Sequence, residues 1–366
     1  MDDVFTDTRV KETLSGTGAD STEPHWKLYS EVQRSYLQKN VPMKVFIELT
    51  YKCNFRCPHC YVQEDLKTTD DFPGYAKVIS LIDQMRASGV FDLNITGGEA
   101  TMHPRFLDIL KYASGKMPVT LLTNGILLSE ELMFDKILDI PLLDVRVSVY
   151  GRDSRHDVFV NQNGAFQKSF KTLKNLRKYK GIGTAVFVVT KDNFCDIPLV
   201  RRLMDDEGID LDIVTTINPT ARGDKSPLAL RISPEEYKYI LDNYSASVHG
   251  SLCSAGISRF RVSPSGDVNP CELMREISFG NAYEKSWKNV MNEGSRLKWV
   301  DDFKGILKAQ ACNSCDFRKN CNFCPALAYL ENGSYDMPIK YVCEASKMKN
   351  DKMREENITI EMELSL

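Results

Sequence analysis

No stretch of this chain approaches the roughly 18 apolar residues of a membrane-spanning helix, so it carries no membrane-crossing signature. Its first residues, Met1 to Asp20, are polar and acidic and lack an apolar core, which excludes a secretory signal. Charge of one sign is equally absent: 47 basic against 50 acidic side chains leave a net −3, with no basic stripe for nucleic acid and no patch for a membrane surface. Internal repeats and low-complexity runs are missing too. Eleven cysteines in 366 residues fall far below the density of a small disulfide scaffold, and the odd number argues against a closed disulfide set. Together these absences predict a cytoplasmic protein whose thiols stay reduced, and clustered reduced thiols point to metal ligation.

The length allows about two domains. Residues 1–42 read as a polar extension with one amphipathic helix around Trp26 to Gln38. From Lys44 the pattern alternates. Strands are expected at Lys44–Thr50, Phe91–Thr96, Val119–Thr123, Asp144–Tyr150, Thr184–Thr190 and Leu211–Ile217. Helices are expected at Tyr75–Ala87, Phe106–Ser114, Ser129–Leu138, Phe166–Tyr179 and Pro198–Glu207. Six strands alternating with five helices predict an α/β fold with a parallel sheet over residues 43–222. A linker, 223–250, contains a further helix starting at Ser233, where Ser-Pro-Glu-Glu offers an N-cap, a first-turn Pro and a capping-box Glu236. After Gly250 the alternation stops. A hairpin around Pro264 to Gly266, a helix at Lys285–Val300 and an irregular Cys-rich run at Ala311–Ala345 suggest a small metal-organised domain over 251–345, followed by a tail, 346–366.

Cys53, Cys57 and Cys60 stand as CxxxCxxC directly after the first strand. A structural zinc site needs four closed ligands, and only His59 is nearby to complete one. Three thiolates on a four-iron cluster would instead leave one iron open. After the second strand come Thr96, Gly97, Gly98 and Glu99, a turn in which glycines permit close backbone approach and a carboxylate could answer an ammonium group. This spacing and this turn resemble the radical S-adenosylmethionine (SAM) superfamily. The resemblance implies a partial (β/α)6 TIM-like barrel and a [4Fe-4S] cluster on Cys53, Cys57 and Cys60 whose open iron binds SAM. Thr96, Gly97, Gly98, Glu99, Asn124 and Ser148 would contact SAM polar groups, and His59 and Ile217 would lie near adenine. The chain departs from the family at Ala100, where Pro is common, and at Val160, where an Arg partner of the SAM carboxylate often follows the His156–Asp157 pair.

Seven further cysteines follow: Cys253, Cys271, Cys312, Cys315, Cys321, Cys324 and Cys343. Their spacing is unlike paired zinc knuckles, though soft thiolates suit zinc and iron–sulfur alike. The array resembles the SPASM domain, a C-terminal extension of radical SAM enzymes that holds two auxiliary iron–sulfur clusters. By that resemblance Cys312, Cys315, Cys321 and Cys343 would hold the distal cluster, and Cys253, Cys271 and Cys324 the proximal one. The family's further Cys after the first is replaced by Ala255, Gly256, Ile257 and Ser258, which leaves a proximal iron open to substrate, water or another side chain. Cys195 belongs to neither array and reads as a small buried residue, with hydrogen-atom donation as the alternative.

The implied chemistry is reductive cleavage of SAM to a 5′-deoxyadenosyl radical that abstracts a substrate hydrogen, with an overall oxidation favoured by the auxiliary clusters. The expected substrate is a peptide to be crosslinked, epimerised or oxidised. The expected partners are an electron donor such as flavodoxin or ferredoxin and, because the extension is short, a separate leader-binding protein, with the extension itself as the alternative reader of the leader. The same chemistry on a small metabolite, such as a sugar or cofactor precursor, and a non-catalytic zinc module are the alternatives.

Overall fold

The computed structural model describes residues 25–62, 71–244, 253–309, 312, 314–318 and 321–355. The outer extension, the end of the linker and the end of the tail lie outside these residues.

Helix α1 (His25–Gln38) precedes strand β1 (Lys44–Glu48). Then follow α2 (Tyr75–Ala87), β2 (Asp92–Thr96), α3 (Phe106–Ser114), β3 (Val119–Thr123), α4 (Glu131–Leu138) and β4 (Asp144–Val149). The alternation continues with α5 (Ser154–Val160), α6 (Ala165–Lys180), β5 (Thr184–Val188), α7 (Ile197–Asp206) and β6 (Asp210–Val214). β1 to β6 are parallel neighbours in chain order, and β6 ends the sheet, so the barrel is partial.

The period-two pattern of the strands decides which side faces the helices. Val45, Ile47, Leu93, Ile95, Val119, Leu121, Val145, Val147, Ala185 and Phe187 are all buried against helix residues such as Val78, Ile82, Ile109, Leu173 and Val200. Each such side chain contributes about 1.5–3 kcal/mol by leaving water. The alternate residues, among them Phe46, Leu122 and Ser148, face the concave side.

Where sequence expectation and structure differ, local chemistry supplies the reason. The short helix α5 was not anticipated; residues in the left-handed region bracket it, Asp153 (φ 50°) and Asn161 (φ 55°). The helix expected at Lys285–Val300 is two, α9 (Trp287–Met291) and α10 (Gly294–Ala309), because Asn292 and Gly294 are weak helix formers. The Cys-rich run is not irregular: it contains α11 (Pro325–Asn332) and the start of α12 (Lys340–Glu355), which crosses the expected boundary at 345. By contrast α8 (Pro234–Asn243) begins as its sequence predicts. Ser233 Oγ accepts from Glu236 N at 3.2 Å, and Glu236 Oε2 accepts from Ser233 N at 2.7 Å.

The largest difference concerns the hairpin after Gly250. β7 (Arg259–Val262) pairs parallel with β1, Lys44 opposite Arg259, and antiparallel with β8 (Val268–Asn269). The second region therefore shares the barrel's sheet, with strand order β6-β5-β4-β3-β2-β1-β7-β8. Covering the edge of β1 satisfies backbone groups that would otherwise stand unpaired. No helix among the described residues is long and apolar enough to cross a membrane.

Candidate active site

A cavity of about 290 Å³ opens at the C-terminal ends of the strands, where parallel α/β sheets place their ligands. Cys53, Cys57 and Cys60 reach it from the loop after β1, Thr96, Gly97 and Gly98 from the end of β2, and Thr123 and Asn124 from β3. Ser148 and Tyr150 come from β4, Thr216 and Asn218 from the chain after β6, and Glu272 from beyond β8.

The Cys-bearing loop is clamped to β2 by the glycine turn. Gly98 N donates to Thr50 O at 2.7 Å and Glu99 N to Lys52 O at 2.8 Å. A Cβ on Gly98 would lie 2.1 Å from Tyr51 O and 2.6 Å from Lys52 O, and one on Gly97 (φ +140°) 2.3 Å from Thr50 O. All three are backbone atoms that cannot swing aside, so glycine is required for the loop to lie where it does. Gly98→Ala is therefore expected to displace the thiols and to lower iron retention by about four atoms after reconstitution. Unchanged iron content in that variant would show that the clamp does not position them.

Glu99, expected at the cavity, is buried and bonded to Thr123 and Asn124 of its lining. Its carboxylate is buried and accepts from Thr101 N (3.1 Å), Thr101 Oγ1 (2.5 Å), Thr123 Oγ1 (2.7 Å) and Asn124 N (2.7 Å). It ties β2 to β3, and Thr96, Gly97 and Gly98 line the cavity beside it. Burial, against these hydrogen bonds, raises the Glu99 carboxyl above its ordinary range. Asn124 carries the same framework onward, donating from Nδ2 to Asn54 Oδ1 at 2.7 Å within the Cys loop.

Ile217 is buried, and its neighbours Thr216 and Asn218 line the cavity. The Ile217 carbonyl accepts from Arg231 Nε (3.0 Å) and Nη2 (2.8 Å). His59 does line the cavity, its ring 5.0 Å from that of Tyr150 and 5.4 Å from that of Phe159. Burial, and next the Cys57 charge, push the Tyr150 phenol well up, so it remains a neutral hydroxyl at the cavity wall. His156 and Asp157 are structural: His156 Nδ1 accepts from Tyr150 N at 3.2 Å, and Asp157 caps α6 through Gly164 N (2.6 Å) and Phe166 N (2.8 Å). Cys195 is exposed, not buried as expected, on a turn at Phe194–Asp196 away from the cavity lining.

Glu48 was not anticipated. It sits on the concave side of β1 with no exposed surface, and a carboxylate within the otherwise apolar run Val45–Leu49 was the available signal. Its Oε1 accepts from Tyr61 Oη (3.1 Å) and Arg275 Nη2 (3.1 Å); its Oε2 accepts from Arg261 Nε (2.9 Å) and Nη2. Burial alone would raise this carboxyl, but Arg261 and Arg275 outweigh it and hold the group below its ordinary range. The network joins β1 to β7, and its Glu48 and Tyr61 line the cavity.

The seven remaining thiols divide by mutual influence. The charges of Cys253, Cys271 and Cys324 act on one another, and burial pushes each thiol up to about 12. A second set comprises Cys312, Cys315, Cys321 and Cys343; the first and last of these are raised by burial and then by the other members. No disulfide joins any cysteine of the chain. Among the described residues no three His, Cys, Asp or Glu side chains are grouped as ligands of a single metal ion.

An open parallel α/β barrel with three thiols at the mouth of its first strand, and a Cys-rich extension on the same sheet, defines a radical SAM enzyme. Residues 47–204 match the Radical SAM superfamily and residues 253–322 the SPASM iron-sulfur cluster-binding domain, so the chain carries both domains. It is 26% identical over 335 residues to the antilisterial bacteriocin subtilosin biosynthesis protein AlbA of Bacillus subtilis, across 86% of this chain and 73% of that protein. It is likewise 26% identical over 346 residues to the AdoMet-dependent heme synthase of Methanosarcina barkeri, across 81% of this chain and 95% of that protein. The fold is shared with Streptococcus suis SuiB, solved bound to precursor peptide SuiA, at a TM-score of 0.66 and 16% identity over 90% of this chain and 83% of that one.

These domains mark a protein that binds iron–sulfur clusters and SAM, and the residues present fit both groups. Three soft donors share one cavity with glycine backbone and small polar side chains, and the other thiols are gathered into sets.

Proposed function

We propose that this chain abstracts a hydrogen atom from a peptide held in the cavity, leading to crosslinking, epimerisation or oxidation of a ribosomal peptide. Cys53, Cys57 and Cys60 would hold the SAM-cleaving [4Fe-4S] cluster. Thr96, Gly97, Gly98, Asn124 and Ser148 would seat SAM, with His59 beside adenine. When bound and reduced, the cluster supplies the electron that splits SAM into methionine and a carbon radical. The chain's own residues orient the target and keep water and stray hydrogen donors away, which the apolar walls of Phe46, Phe55 and Leu122 favour. The observation that carries the reading is the single cavity shared by the Cys53–Cys60 loop, the polar strand ends and Glu272, the residue after Cys271.

Two auxiliary clusters complete the proposal, a distal one on Cys312, Cys315, Cys321 and Cys343 and a proximal one on Cys253, Cys271 and Cys324. A flavodoxin or ferredoxin would supply electrons, and a separate protein would present the peptide leader. Replacing Cys312 and Cys315 by Ala is expected to spare 5′-deoxyadenosine formation while losing peptide product. Undiminished product from that variant would remove the distal cluster from the reaction.

The peptide is favoured by the likeness to a bacteriocin biosynthesis protein over most of this chain. Conversion of a small metabolite is the second reading, favoured by the likeness to a heme synthase over 95% of that protein. Co-expression with a short peptide encoded beside this protein, followed by mass spectrometry in heavy water, separates the two. A peptide lighter by two hydrogens, or one carrying a single solvent deuterium at an epimerised residue, supports the first. An unmodified peptide alongside active SAM cleavage favours the second.

A further inference from the structure

The proximal thiol set has three cysteines for a cluster of four irons. The segment that could offer a fourth sulfur ligand holds Ala255, Gly256, Ile257 and Ser258, and it is committed to packing. Ala255 and Ile257 are buried, and the Ser258 carbonyl accepts from Met43 N at 2.7 Å. A Cβ on Gly256 would lie 2.4 Å from Trp299 Nε1, so no side chain can enter from there.

Glu272 is adjacent to Cys271 in the chain. Its Oε1 accepts from Arg259 Nη2 at 2.6 Å, which fixes the carboxylate in place. Its Oε2 is buried and has no hydrogen-bond partner among the described residues. A carboxylate oxygen removed from water and left unmatched is costly, and native proteins seldom leave one without a reason. Arg259 itself is held over the Phe46 ring, 4.3 Å from its centre. The Glu272 charge acts on all three thiols, Cys253, Cys271 and Cys324, and so does that of Arg259.

We propose that Glu272 is the fourth protein ligand of the proximal cluster, its Oε2 binding the iron that Cys253, Cys271 and Cys324 leave open. The inference rests on reading these thiols as an iron–sulfur site. Three thiolates and one carboxylate bring four negative ligands together, and Arg259 offsets part of that charge while holding the carboxylate in its ligating orientation. Glu272 also lines the cavity that contains Cys53, Cys57 and Cys60. Its ligation therefore closes the proximal iron to direct binding by substrate, and leaves the cluster to act as an electron acceptor.

The test uses the full-length protein with Cys53, Cys57 and Cys60 changed to Ala, so that the SAM cluster does not mask the signal. Adding Cys253→Ala and Cys271→Ala should remove about four irons. If the iron stays, the auxiliary-site reading itself fails. Glu272→Gln and Glu272→Cys are then compared with this parent by iron content and by electron paramagnetic resonance of the dithionite-reduced protein. The inference expects Glu272→Gln either to lose about four irons or to show a changed spectrum that shifts again on adding 2-mercaptoethanol. It expects Glu272→Cys to retain the iron and to be insensitive to the added thiol. A Glu272→Gln spectrum identical to the parent overturns it. So does a parent that already responds to 2-mercaptoethanol, or loss of the iron in both variants.

Discussion

Changing Cys53, Cys57 and Cys60 together to Ala is expected to reduce 5′-deoxyadenosine formation under dithionite to the level of a protein-free control, and to remove about four irons. The three thiols lie on one loop that the β2 glycine turn pins by backbone hydrogen bonds, and they share one cavity. None of the three is fully buried, so their loss removes ligands without opening a core cavity. The fold should persist, with unchanged far-ultraviolet circular dichroism and with iron retained by the other cysteines. That combination distinguishes loss of chemistry from loss of structure. Measurable turnover in the triple variant would show that SAM is cleaved elsewhere.

The second large effect concerns stability. Glu48→Gln leaves the buried Arg261 and the half-buried Arg275 facing a neutral amide where a carboxylate stood. Breaking a buried ion pair by removing one member costs about 3–5 kcal/mol, a large share of the roughly 5–15 kcal/mol that holds a domain together. Because the network bridges β1 and β7, its loss should loosen the join between the barrel and the Cys-rich region. Urea unfolding of the reconstituted protein at neutral pH reads the difference, and coincident midpoints for variant and parent would refute it. The sign with pH follows from the depressed Glu48 carboxyl. Its contribution is full above the ordinary glutamate value, near pH 4.3, and is lost as pH falls through the lower folded value. The gap between parent and Glu48→Gln should therefore narrow only in strong acid.

Much of this architecture was legible in the residues. The βα alternation appears in the apolar periodicity, and α2, α3 and β3 begin and end where the pattern predicts because the apolar period there matches the buried face. The α8 start was legible for the same reason: its capping box is a local interaction between residues three apart. The elements misjudged were those whose limits depend on distant partners. β7 has an ordinary strand pattern, and nothing in that pattern says it will complete the edge of β1.

The site divides along the same line. The spacing of Cys53, Cys57 and Cys60 after a strand, the glycine turn and the two sets of later cysteines are sequence features, since ligand count and loop position are fixed by the chain itself. That Thr216 and Asn218 rather than Ile217 meet the cavity depends on backbone orientation after a strand end, where a one-residue shift reverses a side chain, and the exposure of Cys195 depends on the turn that leads into α7. The meeting of Glu48 with Arg261 and Arg275, and the action of the Glu272 charge on Cys253 and Cys324, join residues far apart in the chain. Sequence alone determined the class of chemistry. Only the tertiary structure decided which carboxylates stand beside it, because burial and charge pairing are set by the partners that folding brings together.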